Sequence, residues 1–148
     1  MRIAVIGAGA VGGTLAALLD RAGHTVEVTA RGENLATIRE HGLRLDGGWG
    51  EHVARVEAHE TLKRAGAAGY DLVILATKAQ DAAAARRANR AARGSAPLLV
   101  AQNGLGGLEV AHSVLPESPT RGGRARFAAS YLEPGRVTVT AALPLIVG

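Results

Sequence analysis

The stretch MRIAVIGAGAVGG at residues 1–13 constrains the fold of this 148-residue chain more than any other. Residues 2–6 are almost all apolar and barely alternate, the pattern of a parallel strand buried on both faces. Glycines stand at 7, 9 and 12, and Leu15, Leu18, Leu19 and Ala22 then recur at helical spacing until Gly23 ends the helix. The β-branched run HTVEVT at 24–29 reads as a second strand. A lone G-x-G-x-x-G says little. Between a buried strand and an amphipathic helix, inside a βαβ unit of about thirty residues, it predicts a turn that holds a dinucleotide. Gly7 turns the chain out of the strand, Gly9 lets the backbone approach a diphosphate, and Gly12 lets the helix pack closely on the sheet. The helix's first N–H groups lack internal partners and lie at its positive end, so an anion suits them. The candidate phosphate residues are Gly7, Ala8, Gly9, Ala10, Val11 and Gly12. A turn without a ligand would leave three glycines at a cost in chain entropy with nothing gained. The methyl-donor-binding variant of the fold usually has an acidic residue just before the glycines, where this chain has Ile6.

The rest of the chain continues the alternation. Helices are expected over 33–41 (closed by Gly42), 81–93 and 108–115 (stopped by Pro116), and buried strands over 70–76 and 98–101. Residues 43–45 and 52–56 flank the turn signal Asp46-Gly47-Gly48 and read as a hairpin. Residues 124–131 and 136–141 read as strands around Glu133-Pro134-Gly135, and 143–147 form an apolar end. Strands alternating with helices imply an α/β, Rossmann-type doubly wound fold, with a mostly parallel sheet and helices on both faces. No linker or repeat divides it, so residues 1–148 read as a single domain. With aromatics at 3%, the core must be built from small aliphatics at close backbone approach. The absence of Cys removes disulfides, thiolate metal sites and cysteine nucleophiles. No apolar run reaches the roughly 18 residues of a membrane span, and no signal-peptide shape precedes the first strand. A soluble, cytoplasmic protein is expected.

Seventeen basic residues oppose thirteen acidic ones, and all the basic ones except Lys63 and Lys78 are Arg. Nucleic acid is disfavoured as a partner because these residues are scattered and the four aromatics that could stack on bases follow no spacing. Arg86, Arg87, Arg90 and Arg93 are expected to form a solvated helix face. The five His are isolated, so no metal site is expected. Ser113 and Ser130 lack a nucleophile elbow. An NAD-binding unit places Asp or Glu at the end of its second strand to bond the ribose hydroxyls. Here that end reads Val28-Thr29-Ala30-Arg31-Gly32. Glu27 comes too early, and the strand's alternation points it elsewhere. An Arg binds a 2′-phosphate that a carboxylate would repel, so Arg31 argues for NADP.

Taken together these pieces resemble the cofactor domain of the ketopantoate reductases (2-dehydropantoate 2-reductases) over nearly the whole chain. The resemblance rests on residues 1–13, TARGENLATIREHGLRL at 29–45, DLVILATKAQD at 71–81, QNGLGG at 102–107 and LEPGRV at 132–137. It implies reduction of ketopantoate to pantoate by NADPH, within pantothenate and coenzyme A synthesis. It also implies that Arg31 holds the 2′-phosphate and Lys78 contacts the cofactor. Asn103 would lie near the nicotinamide and substrate, and Ala129 would touch the cofactor through its backbone. In the family the proton-donating lysine and a substrate-holding carboxylate lie in a helical C-terminal domain. No catalytic residue is therefore assigned here, and weak or no turnover by this chain alone is expected. Lys63, expected in a surface helix, is no substitute. Two alternatives remain, a stand-alone NADP-binding module and a reductase of another small 2-keto acid. The apolar end also suggests a homodimer.

Overall fold

The structure, a computed structural model, describes residues 1–63, 69–101 and 119–148. Strand β1 (Arg2–Ile6) runs through the middle of the main sheet and is apolar on both sides for a simple reason. Ile3 and Val5 join one core cluster, and Ala4 and Ile6 join the other. Each fully buried Ile or Val contributes about 1.5–3 kcal/mol, so neither face can carry a polar residue cheaply.

Helix α1 (Ala10–Arg21) and β2 (Thr25–Thr29) complete the first βαβ unit, and α2 (Gly32–His41) leads to β3 (Leu43–Gly47), β4 (His52–Ala54) and β5 (Glu57–His59). Then come β6 (Leu72–Leu75), α3 (Ala79–Arg93), β7 (Leu98–Val100), β8 (Thr120–Ala125), β9 (Ala128–Glu133), β10 (Arg136–Ala141) and β11 (Leu145–Val147). The main sheet has the order β5-β2-β1-β6-β7-β8, all parallel, with β11 antiparallel on the outer edge. Strand order reverses between β1 and β6, as in a doubly wound dinucleotide-binding fold. The mostly parallel α/β architecture read from the sequence is the one observed.

The hairpin also forms, with Leu43 opposite Ala54, but it belongs to a second sheet, β4-β3-β10-β9. There β3 and β10 pair in parallel, Arg44 opposite Arg136. This sheet covers the outer side of α1, whose residues Gly12 to Ala17 are buried all round. Gly13 explains the closeness of that contact: a Cβ there would stand 2.9 Å from Val137 Cγ1. At the rim, His52 Nε2 lies 2.8 Å from Asp20 Oδ2 and ties β4 to the end of α1.

Three local expectations are corrected. The single strand expected over 124–131 is two, β8 in the main sheet and β9 in the second. One straight strand cannot serve two layers, so the chain turns a corner at Arg126 and Phe127. Phe127 is buried there, edge-on to Trp49 at 5.4 Å. Lys63 is not helical; it lies beside β2, its N–H donating to Glu27 Oε1 at 2.7 Å. Arg87 and Arg90 are exposed as expected, but Arg86 and Arg93 are buried with Asn89 on the inner stripe of α3. Arg93 Nη1 donates to the Ala96 carbonyl at 2.7 Å. Burial lowers the pKa of both arginines. The helix expected at 108–115 lies outside the described residues.

One ionic cluster of the second sheet carries a pH prediction. Thr138, opposite Asp46 in the register, hydrogen-bonds its carboxylate, and Arg136 Nη2 sits 2.7 Å from Oδ2. Together they outweigh burial and hold Asp46 below the usual carboxylate range. A depressed pKa stabilises the fold above the unfolded value, and that stability is lost as pH falls through the folded value. Asp46→Asn is therefore expected to melt below wild type at pH 7 and to converge with it as pH drops below about 4. A melting gap that stays constant down to strong acid would exclude the charge as its cause.

Candidate functional site

The carboxyl ends of β1, β2, β5, β6 and β7 open into one cleft of about 730 Å³ at the switch point. Each stretch that leaves a strand there contributes: Gly7 to Val11 after β1, Ala30 and Arg31 after β2, Glu60 and Thr61 after β5, Ala76 to Lys78 after β6, and Ala101 after β7. Ala85, Ala88 and Asn89 of α3 and Tyr131 of β9 close the sides.

The glycine turn is held by its neighbours. Gly7 N–H donates to Thr29 Oγ1 and Ala8 N–H to the Thr29 carbonyl, both at 2.9 Å, so the end of β2 clamps the end of β1. Gly7 has φ +100° and Gly9, the N-cap of α1, has φ −83°. A Cβ on Gly12 would stand 1.8 Å from the Gly7 carbonyl oxygen, so this glycine serves packing and does not line the cleft. A Cβ on Gly9 would meet nothing within 4 Å. Its smallness answers no protein contact and leaves open a cradle that a methyl group would fill. No side chain caps α1 and no acidic residue sits in its first turn. Its leading N–H groups are therefore left for an anion. These residues fit a dinucleotide diphosphate.

Arg31 is the N-cap of α2 and Lys78 the N-cap of α3, both exposed and both lining the cleft from opposite walls. Glu27 is not part of it. Its side chain is 2% exposed, accepts the Lys63 N–H, and lies 2.6 Å from the Tyr70 hydroxyl and 3.8 Å from Arg2. Burial, together with Glu27, pushes the Tyr70 hydroxyl pKa up. Two carboxylates do border the cleft, Glu60 and Asp81, but neither stands at the end of β2. Ala129 pairs with Val139 on β9; the cleft is reached from that strand by Tyr131, two residues on. Asn103 lies outside the described residues.

Sequence reasoning missed Asn34. Its Nδ2 donates to the Ala8 carbonyl at 3.0 Å, and its Oδ1 accepts the Gly135 N–H at 2.8 Å. It joins the glycine turn, α2 and the β9–β10 turn. An Asn in a helix's first turn is the one signal that could have drawn notice, since such side chains readily bond nearby backbone. Among the described residues no cluster of His or carboxylates could hold a metal, and no helix is long and apolar enough to cross a membrane.

Residues 3–148 match the family model described as ketopantoate reductase PanE/ApbA. A 2-dehydropantoate 2-reductase of Mesorhizobium japonicum is 45% identical over 80 residues, which is 53% of this chain and 24% of that protein. That of Aquifex aeolicus is 27% identical over 141 residues, 95% of this chain and 44% of that protein. Among solved structures, a PanE/ApbA family ketopantoate reductase from Ralstonia eutropha superposes with a TM-score of 0.88 at 30% identity, covering 99% of this chain and 49% of the other. A D-mandelate dehydrogenase solved with NADH and anilino(oxo)acetate gives 0.82 at 26%, covering 96% and 46%. The chain thus spans less than half the length of these relatives.

Proposed function

The chain belongs to the ketopantoate reductase family, and on that premise we propose that it binds NADPH in the switch-point cleft as the cofactor-holding part of a reductase acting on ketopantoate. The observation that carries the choice of NADPH is Arg31 at the mouth of the cleft, with Glu27 committed elsewhere. A carboxylate at the end of β2 would bond two ribose hydroxyls and repel a 2′-phosphate; an arginine there attracts the phosphate in the plane of its fork.

NADPH supplies a hydride for the ketone carbon. This chain's residues bind and orient it. The N–H groups from Gly9 to Val11 take the diphosphate, Arg31 takes the 2′-phosphate, and Lys78 brings a second positive charge to the opposite wall. The lining from Ala30, Ala85 and Ala88 is small and apolar, which admits flat rings and excludes water from their faces. The reduced oxygen must take a proton. Following the family resemblance, we assign that donor to a helical domain beyond these residues, and expect this chain alone to bind cofactor with little or no turnover.

A second reading keeps the cleft but changes the substrate to another 2-oxo acid. The likeness to a D-mandelate dehydrogenase solved with NADH favours it. Calorimetric titration with NADPH and NADH, on wild type and Arg31→Ala, tests the cofactor. We expect NADPH to bind at least about tenfold more tightly than NADH and the variant to lose that preference, as for one charge-assisted pair. Equal affinities in wild type would sink the NADPH assignment, and binding of neither would sink the dinucleotide reading itself.

A further inference from the structure

We infer that Asn34 is a positioning residue for the phosphate turn: it fixes the Ala8–Gly9 peptide so that the Gly9 N–H stays available to the diphosphate. The inference rests on the dinucleotide reading for its ligand, and on geometry for the rest. Both ends of the Asn34 amide are engaged, Nδ2 by the Ala8 carbonyl and Oδ1 by the Gly135 N–H. The opposite flip would set oxygen against oxygen and N–H against N–H, so the two bonds fix the amide's orientation.

Ala8 is then held at both of its backbone polar groups, since its N–H is bonded to Thr29. A trans peptide carries its C=O and the next N–H on opposite edges. No peptide bond here is cis. With the Ala8 oxygen tied to Asn34, the Gly9 N–H lies on the edge away from that amide, and no described residue accepts it. Gly9 has no side chain to limit rotation about its neighbouring bonds, so the peptide before it would be loosely held without such a tie. Turned over, it would set the Ala8 oxygen against an anion.

The far anchor is equally specific. Gly135 has φ +70°, and a Cβ there would stand 2.6 Å from Thr37 Cγ2. The β9–β10 turn is therefore seated on α2, and its N–H is delivered to Asn34 one helical turn before Thr37. Asn34 thus links the β9–β10 turn of the second sheet to the phosphate turn.

The test uses the whole 148-residue chain as wild type, Asn34→Ala and Asn34→Asp, with NADP⁺ titrated calorimetrically from pH 7.5 to pH 4.5. Asn34→Ala is expected to bind about tenfold more weakly at every pH, with a melting temperature lowered by the loss of two half-buried hydrogen bonds. Asn34→Asp keeps the acceptor for Gly135 but sets a carboxylate against the Ala8 oxygen. It should bind most weakly at pH 7.5 and recover relative to wild type as acid protonates it and restores a donor. Because Asn34 itself lines the cleft, repulsion between the new carboxylate and the diphosphate would give the same recovery, so the Gly9 amide of the unliganded protein separates positioning from charge. Should Asn34→Ala fail to fold, the Gly9 amide resonance of unliganded Asn34→Asp, followed from pH 7.5 to pH 4.5, carries the test. In the unliganded protein the Gly9 amide resonance should shift in Asn34→Ala while those of later turns of α1 stay in place. Failure of wild type to bind ends the dinucleotide reading. An unmoved Gly9 resonance, or affinities equal to wild type in both variants, overturns the role of Asn34.

Discussion

Gly12→Ala is expected to leave no stably folded chain, whereas Gly9→Ala should fold like wild type and lose the dinucleotide. The two glycines belong to one motif but answer different constraints. At position 12 an added Cβ would lie 1.8 Å from the Gly7 carbonyl oxygen and 3.0 Å from Ala76 Cβ. Neither is the end of a flexible side chain, so α1 would have to move off the sheet. That movement would loosen its contact with β10 as well, because α1 is packed between both sheets. Overpacking of a core already costs about 1–3 kcal/mol when side chains can shift. A backbone collision exceeds that and approaches the roughly 5–15 kcal/mol that holds a domain together. At position 9 the added methyl meets no protein atom within 4 Å, and φ −83° is ordinary for alanine. It would instead occupy the space a diphosphate needs, for a loss on the order of a hundredfold in affinity. Circular dichroism melting and NADPH titration of both variants check this. A Gly12→Ala chain that melts like wild type would refute the helix–strand contact. A Gly9→Ala chain with full affinity would remove the phosphates from this turn.

What the sequence showed plainly is what depends on neighbours along the chain. β1, the glycine turn, α1 and β2 occupy residues 2–29, and each signal lies within a few residues of the element it marks. Arg31 could be placed for the same reason, because it follows β2 directly and so lines the cleft at that strand's end. The second sheet was not, because its central pairing joins Arg44 to Arg136 in parallel, and no local pattern records a partner so far away. The corner at Phe127 was hidden by alternation that continues through it, since both flanking strands show the same period to different layers. Arg86 and Arg93 were misread because composition prices a buried arginine as rare. Eight of the fifteen residues of their helix are alanine, too short a side chain to fill the inner stripe alone. Asn34 was overlooked because its partners, Ala8 and Gly135, lie in two turns far from it along the chain.

Glu27 gives the sharpest separation between structure and cofactor choice. Glu27→Ala is expected to cost about 2–4 kcal/mol, since it removes the acceptor of the half-buried Lys63 N–H and leaves a void beside the buried Tyr70. For a chain of this size that lowers the melting temperature on the order of 10 °C. Arg2 is 38% exposed and 3.8 Å from Glu27, so its pairing adds little. Glu27→Gln should differ sharply. The Tyr70 hydroxyl has one proton and lies within hydrogen-bond reach of two acceptors, Glu27 Oε2 at 2.6 Å and the Lys63 carbonyl at 2.5 Å. A glutamine amide can accept from Lys63 N–H with its oxygen and donate to the Tyr70 oxygen with its nitrogen. The phenol proton is then free for the Lys63 carbonyl, and the Lys63 N–H, the Tyr70 hydroxyl and the Lys63 carbonyl all keep a partner. The melting temperature of Glu27→Gln should therefore equal or exceed that of wild type, and its preference between NADPH and NADH should be unchanged. If Glu27 instead served as the ribose carboxylate, the glutamine variant would lose NADH affinity while keeping its fold. Thermal melts and the two titrations on the same pair of variants decide between these outcomes.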